Sequence, residues 1–324
     1  MERLDAFMAR AAAAYYARGE GIGRDFTTAP EMSQAFGECL GLWAAVTWQS
    51  MGSPARVILT ELGPGRGTLM ADALRAVDQM MPAFGRALEL HLVETSPRLR
   101  AAQAAKLGLR VAGWHGAAEA LPPGPAIILA NEFFDALPIR QFIRRGDGWR
   151  ERFVSGGAFA EQPSDHCEAA PEGAIREVNE AAQTIAARLG ARLAAQGGAL
   201  LALDYGPAES GLGDTLQALR DNAAADPLAE PGHADITAHV DFTALAAAGR
   251  AAGAAAHGPL PMGIFLQRLG LMARSAMLAQ SAPAQAGAIL GAAQRLVAPE
   301  GMGRLFKALC IAHPALLIPA GFEA

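Results

Sequence analysis

The segment Glu61-Leu62-Gly63-Pro64-Gly65-Arg66-Gly67-Thr68 stands between an apolar run, Arg56 to Thr60, and a helix-periodic stretch. Alternate glycines let a backbone turn tightly and let a ligand come close. The helix that follows adds unpaired N–H groups. A triphosphate-binding loop needs G-x-x-x-x-G-K-[ST], and no lysine follows here. A dinucleotide loop needs G-x-G-x-x-G, and Thr68 stands where the third glycine belongs. What is present is E-x-G-x-G-x-G. An acid at the strand end favours a cationic ligand and repels phosphate.

Other chemistry falls at the ends of later strand-like runs. Glu94 closes Leu88 to Val93, where an acid can accept ribose hydroxyls. His115 follows the third run. Asn131, Glu132 and Asp135 follow Ala126 to Ala130, and Asp204-Tyr205 close Gly198 to Tyr205. Ligands of open α/β sheets bind beyond the carboxyl ends of the strands. Any one of these acids has an ordinary reading as a cap or surface group; their coincidence at successive strand ends raises the functional one. A pair such as Glu132 and Asp135 can grip a planar cation through two parallel hydrogen bonds, or can cap a helix and tie a loop. His239 and Asp241 are candidates for lining a groove, although Asp241 equally suits the cap of a helix beginning at Phe242. The seven histidines are scattered and form no H-x-x-x-H, so no metal site is expected.

These strand ends need a sheet to position them. Apolar runs at 56–60, 88–93, 109–114, 126–130 and 198–205 alternate with helical patterns at 68–81, 97–107 and 173–196. This is the signature of a doubly wound parallel sheet with helices on both faces. Helices are expected at 2–18 and 31–51 before it, and at 242–256 and 264–280 after it. Gly303 to Ala312 suits a late strand antiparallel to the rest. Arg140–Arg145 and Trp149–Val154 flank Gly146-Asp147-Gly148, a hairpin signal. Residues 155–171 and 206–235 read as loops. The expected division is an N-terminal helical region (1–54), a core (55–138, 173–205 and 256–313), and insertions (139–172 and 206–255). Gly19, Gly21 and Gly23 precede Asp25-Phe26-Thr27-Thr28-Ala29-Pro30-Glu31, which suits both a lid and a helix start capped by Thr28.

Composition limits the alternatives. A chain of 324 residues, 52% hydrophobic and 18% charged, has ample material for a core and is not a disordered chain. A net charge of −5 gives no global footprint for nucleic acid or an anionic membrane. Three distant cysteines, with no C-x-x-C, fit a reducing compartment. No run approaches the ~20 apolar residues of a membrane span, and no secretory signal is visible, so a cytoplasmic location is expected, with the mitochondrial matrix its eukaryotic counterpart.

Longer motifs point further. They are DFTTAPEMSQAFGECLGLW (25–43), ELGPGRGTLMAD (61–72), NEFFDALPIRQF (131–142), DYG (204–206), GDTLQALR (213–220), ADITAHVDF (234–242) and MGRLFK (302–307). The glycine loop resembles that of class I methyltransferases, and the whole set resembles the MidA-like proteins, along nearly the full chain. That resemblance implies a class I core, Rossmann-like, with N-terminal helices and an inserted lobe. It implies S-adenosylmethionine (SAM) as cofactor, whose ammonium and sulfonium suit an acidic strand end. It also implies methylation of an arginine in a core subunit of respiratory complex I, a protein substrate. On this reading Glu61, Gly63, Gly65, Gly67, Thr68, Glu94, His115 and Asn131 bind the cofactor, and Glu132 and Asp135 are the catalytic pair. Two rivals stand beside it: a SAM-binding assembly chaperone without turnover, and an NAD-dependent oxidoreductase, disfavoured by the missing third glycine and by Glu61.

Overall fold

The structure is a computed structural model and describes residues 1–18 and 27–323. Its centre is a seven-stranded sheet: β1 (Val57–Leu62), β2 (Leu88–Val93), β3 (Val111–His115), β4 (Ala126–Asn131), β5 (Gly198–Tyr205), β6 (Ala255–Pro261) and β7 (Phe306–Ala312). The strand order is β3-β2-β1-β4-β5-β7-β6. β1 to β5 run parallel, while β7 is antiparallel to both β5 and β6. Order reverses between β1 and β4, and that switch point opens a crevice beyond the carboxyl ends of the strands.

The inner strands are apolar because both faces are covered. Along β4, Ile127 and Leu129 join a core with Phe36, Trp43, Phe84 and Phe265, while Ile128 and Ala130 join a second core with Phe134, Leu189 and Phe242. Helices Gln34–Ser50 and Thr68–Met80 lie on the first face, and Glu180–Gln196 and Phe242–Ala251 on the second.

A second unit lies beside the switch point. Strands Arg140–Arg145, Gly148–Ser155, Ala158–Ser164 and Ile175–Val178 form an antiparallel sheet, extended by Glu2–Arg3 against Phe153 and Val154. Gln217–Arg220, Ala223–Ala225 and Asp235–Thr237 make a smaller one. Helix Leu4–Arg18 packs on both through Leu4, Phe7, Met8 and Ala11.

Several local expectations change. Residues 155–171 contain a strand, and 206–235 hold the small sheet rather than only loop. The helix expected from 173 begins at Glu180, where the Asn179 side chain accepts from Ala182 N–H at 2.8 Å, and Ile175–Val178 pairs into the antiparallel sheet instead. The helix from Phe242 stops at Ala251, ahead of Gly253 at φ 93°, so the chain can enter β6. Gly270 at φ 82° splits the expected 264–280 helix into Met262–Arg268 and Leu271–Ser281. Helix Ala286–Val297 was not anticipated. Extended Ser33 separates Ala29–Met32 from the helix after it. Of the lid segment, residues 19–26 lie outside the described residues.

Helices Gln34–Ser50 and Thr68–Met80 cross at near backbone contact. A Cβ on Gly41 would meet Ala73 O at 2.6 Å and Ala73 Cα at 2.7 Å. Gly41→Ala must push the pair apart, at a cost of about 1–3 kcal/mol. The expected readout is a lower urea midpoint with an unchanged slope.

Candidate active site

The glycine loop owes its shape to three left-handed residues: Gly63 (φ 63°), Gly65 (φ 51°) and Gly67 (φ 75°). Gly67 caps the helix beginning at Thr68. With the loops after β2, β3 and β4, this turn encloses a cavity of 490 Å³, well within the size range of small-molecule sites. Glu61, Gly63, Gly65, Thr68, Glu94, Asn131 and Glu132 line it together. Gly67 does not; its place is the turn itself. His115 does not either, since its Nε2 meets His91 Nδ1 at 3.0 Å, and the wall there is made by Gly116, Ala117 and Glu119. Asp135 is buried behind the lining.

The roof comes from the N-terminus, which no local motif announces. Ala9, Ala12, Ala13 and Tyr16 of helix Leu4–Arg18 line the cavity, as do Thr28, Pro30 and Glu31. Tyr16 donates to Asp235 Oδ1 at 3.0 Å. Glu31 is a clasp: it accepts from Thr68 Oγ1 at 2.6 Å and from Arg66 Nη2 at 2.8 Å. Ala29 N–H reaches Glu132 Oε1 at 3.2 Å. The described part of the expected lid therefore joins the glycine loop to the β4 turn. Alanines leave room where a larger side chain would fill the cavity.

The cavity is electrostatically unbalanced. Glu61 is 3% exposed, and its Oε2 has no hydrogen-bond partner. Burial, and secondarily the charge of Glu94, push its carboxyl up to about 8. Glu94 accepts from Ser96 N–H at 2.7 Å and from Gln103 Nε2 at 3.3 Å. Burial raises it too. Asn131 Oδ1 is also buried without a partner. Orphaned acceptors and unneutralised acids are the complement of a ligand carrying an ammonium, a sulfonium and hydroxyls. They suit no pyrophosphate.

At the far end of the cavity Glu132 holds a left-handed φ of 49°, which costs a residue with a side chain order 1–3 kcal/mol. The turn is fixed by Asp204, whose Oδ2 accepts N–H bonds from Phe133 (3.1 Å), Phe134 (2.9 Å) and Asp135 (3.2 Å). Its Oδ1 accepts from Tyr205 N–H at 2.9 Å. Burial and then the Asp135 charge push Glu132 up to about 8. Burial pushes Asp135 up to about 6, and the same burial, with the charges of Asp135 and Glu132, raises Asp204. Asp135 Oδ1 has no partner. His239 and Asp241 lie outside this cavity; Asp241 caps its helix through Ala244 N–H at 2.9 Å.

The family profile described as "Putative S-adenosyl-L-methionine-dependent methyltransferase" matches residues 39–260. The chain belongs to this family of methyltransferases. It is 34% identical to the zebrafish (Danio rerio) protein arginine methyltransferase NDUFAF7, mitochondrial, over 94% of this chain and 80% of that one. The human protein of that name is 32% identical, over 90% and 75%. Among solved structures, a Burkholderia thailandensis COG1565 superfamily member bound to S-adenosyl-homocysteine superposes with a TM-score of 0.83 at 29% identity, covering 99% of this chain and 88% of that one. A native structure from the same organism and superfamily gives 0.85. Membership in a SAM-dependent family agrees with the cavity: Glu61 and Asn131 would face the cofactor's cations and polar groups, and Glu94 its ribose.

Two measurements check this assignment. Below about pH 8 Glu61 carries a proton in the free protein, and a cationic ligand must expel it. SAM affinity should therefore rise with pH from 6 to 8, by at most about tenfold per unit, and then level. The ligand-free protein has the opposite trend. Glu61 and Glu132 both have raised folded pKa values, so the stability they carry is full below their ordinary 4.5 and is lost as pH rises through about 8. Glu61→Gln should flatten part of both slopes and weaken SAM binding at least about tenfold, one lost charge-assisted contact; calorimetry and thermal melts across pH read both. Gly65→Val, at φ 51°, should abolish SAM binding in calorimetry while most of the fold survives.

Proposed function

We propose that the protein methylates an arginine side chain, and that its acceptor lies in a core subunit of respiratory complex I. The observation that carries this reading is the group of buried acids at the β4 turn, above all the unpartnered Asp135 Oδ1. The arginine methyltransferase names of the relatives support the same substrate class.

A guanidinium is planar, cationic and protonated at neutral pH. Carboxylates that hold it bidentately neutralise the charge and turn one nitrogen toward an incoming methyl group. Glu132 and Asp135 are assigned this role. When bound, SAM supplies an activated methyl on a good leaving group. Transfer would form the N–C bond as the C–S bond breaks, and one proton would have to leave the nitrogen. We assign Asp135, which burial pushes up to about 6, as the group that accepts it near neutral pH. Much of the remaining work is alignment and water exclusion, which the helical roof supplies. Glu61, Gly63, Gly65, Thr68, Glu94 and Asn131 are assigned to the cofactor, with Gly67 shaping their loop. We take the accessory strands within 139–178 and 217–237 as the lobe that meets the protein substrate, while helix Phe242–Ala251 of the expected second insertion packs on the core sheet instead. The setting this reading fits is the compartment of complex I assembly, the cytoplasm of a bacterium or the mitochondrial matrix. Among the described residues no helix is long and apolar enough to cross a membrane.

The test is methyl transfer from labelled SAM to complex I core subunits prepared from cells lacking this protein, read by mass spectrometry as methylarginine. Asp135→Asn should keep SAM affinity within about twofold and lower transfer by 10²-fold or more, the scale of a lost general base. Wild-type turnover in that variant would remove Asp135 from the site. Complex I assembly that survives without any methylarginine would leave a binding role alone.

A further inference from the structure

Helix Leu4–Arg18 carries two stripes. Leu4, Phe7, Met8 and Ala11 pack on the accessory sheets, while Ala9, Ala12, Ala13 and Tyr16, spaced as a second face, border the cofactor cavity. Three alanines keep that face low, and Tyr16 ends it with a large aromatic ring. Phe133 also borders the cavity, but it belongs to the glycine loop: a Cβ on Gly63 would meet its ring at 3.1 Å.

Tyr16 stands instead at the acid-lined end. Its hydroxyl donates to Asp235 Oδ1 at 3.0 Å, and Asp235 is 7% exposed. Asp235 opens the strand Asp235–Thr237, and just past that strand Ala238 N–H donates to Asp135 O at 3.0 Å. The anchor of Tyr16 is thereby stitched to the turn that carries Glu132 and Asp135. The charge of Asp235 is felt at both Tyr16 and Glu132, whereas the charge felt at Glu61 is that of Glu94. Buried Tyr15 steadies the Tyr16 ring, meeting it edge-on with centroids 5.2 Å apart and planes at 81°.

Burial, and then the charges of Asp235 and Asp135, raises the Tyr16 hydroxyl well above its ordinary value, so it remains a neutral donor. The side chain adds no charge of its own beside Glu132, which lines the same cavity. What it adds is a π face, which attracts a cation and is worth most where water is excluded. A guanidinium is flat and can lie on such a face while its edge nitrogens meet a carboxylate.

We propose that Tyr16 is an acceptor-binding residue: its ring, anchored on Asp235, is the surface on which the acceptor guanidinium lies while Glu132 holds its edge. The proposal rests on the arginine-methyltransferase reading above.

The test compares Tyr16→Leu with Tyr16→Phe in the full chain. Leucine keeps apolar bulk and suits a helix but has no π face. Phenylalanine keeps the face and loses only the hydrogen bond to Asp235. Calorimetry reads the affinities for SAM and for S-adenosylhomocysteine. Mass spectrometry reads methylarginine, with complex I core subunits prepared from cells lacking this protein as the varied acceptor. Tyr16→Leu should raise the acceptor KM about tenfold or more and leave both cofactor affinities within about threefold. Tyr16→Phe should recover most of that loss. SAM weakened with S-adenosylhomocysteine unchanged would put the ring against the sulfonium and overturn the acceptor role. A wild-type acceptor KM in Tyr16→Leu, equal damage by both substitutions, or loss of both cofactors would overturn it too. The two readings fail distinguishably. A wild-type protein that makes no methylarginine sinks the transferase reading and the Tyr16 role with it, while methylation whose acceptor KM ignores Tyr16→Leu sinks the Tyr16 role alone.

Discussion

Negative charge without a counter-ion organises this molecule. Among the described residues, Glu61, Glu132, Asp135 and Asp204 form no ion pair, although Glu61, Asp135 and Asp204 are buried and Glu132 half-buried. Isolated buried charge is among the most costly things a fold can hold. Here the cost is met by backbone donors at Asp204 and by raised carboxyl pKa values elsewhere, so the resting site stores protons in place of cations. A SAM-dependent family is a natural owner of such a site, because its cofactor brings the missing positive charge with it.

The sheet exists to bring these acids to one edge. Parallel pairing in register places Glu61 opposite Leu129 and Leu203 opposite Asn131, so the ends of β1, β4 and β5 come out together at the switch point. The last two strands depart from the simple dinucleotide order, since β7 slots antiparallel between β5 and β6. That insertion leads Lys307 under the β5 turn, where it gathers three carbonyls. Helix Leu4–Arg18, seated on the accessory sheets through Leu4, Phe7, Met8 and Ala11, then roofs the cavity that the core leaves open.

The core strands and the glycine loop were legible because strands buried on both faces are written as short unbroken apolar runs. Glu61, Glu94, Asn131 and Glu132 followed, since a strand's end is easy to place once the strand is found. The accessory strands were not legible. RQFIRR and AFAEQPS mix charge with apolar residues, and their pairing depends on partners distant in sequence. Tyr16 and the alanines of the first helix meet the cavity only through tertiary packing, and no spacing near the glycine loop hints at them. His115 is a cofactor candidate by its strand-end position alone; in the structure its Nε2 meets His91 across the strands, and its neighbours Gly116 and Ala117 line the cavity there.

Glu132 has a wider consequence. It combines a left-handed backbone with a half-buried acid, so glycine there would relieve both burdens at once. Natural variation screened only for heat resistance would drift toward that glycine and quietly remove the carboxylate from the cavity. Persistence of glutamate at this position across a lineage would then be a record of selection for what that carboxylate does, legible even where no reaction has been assayed.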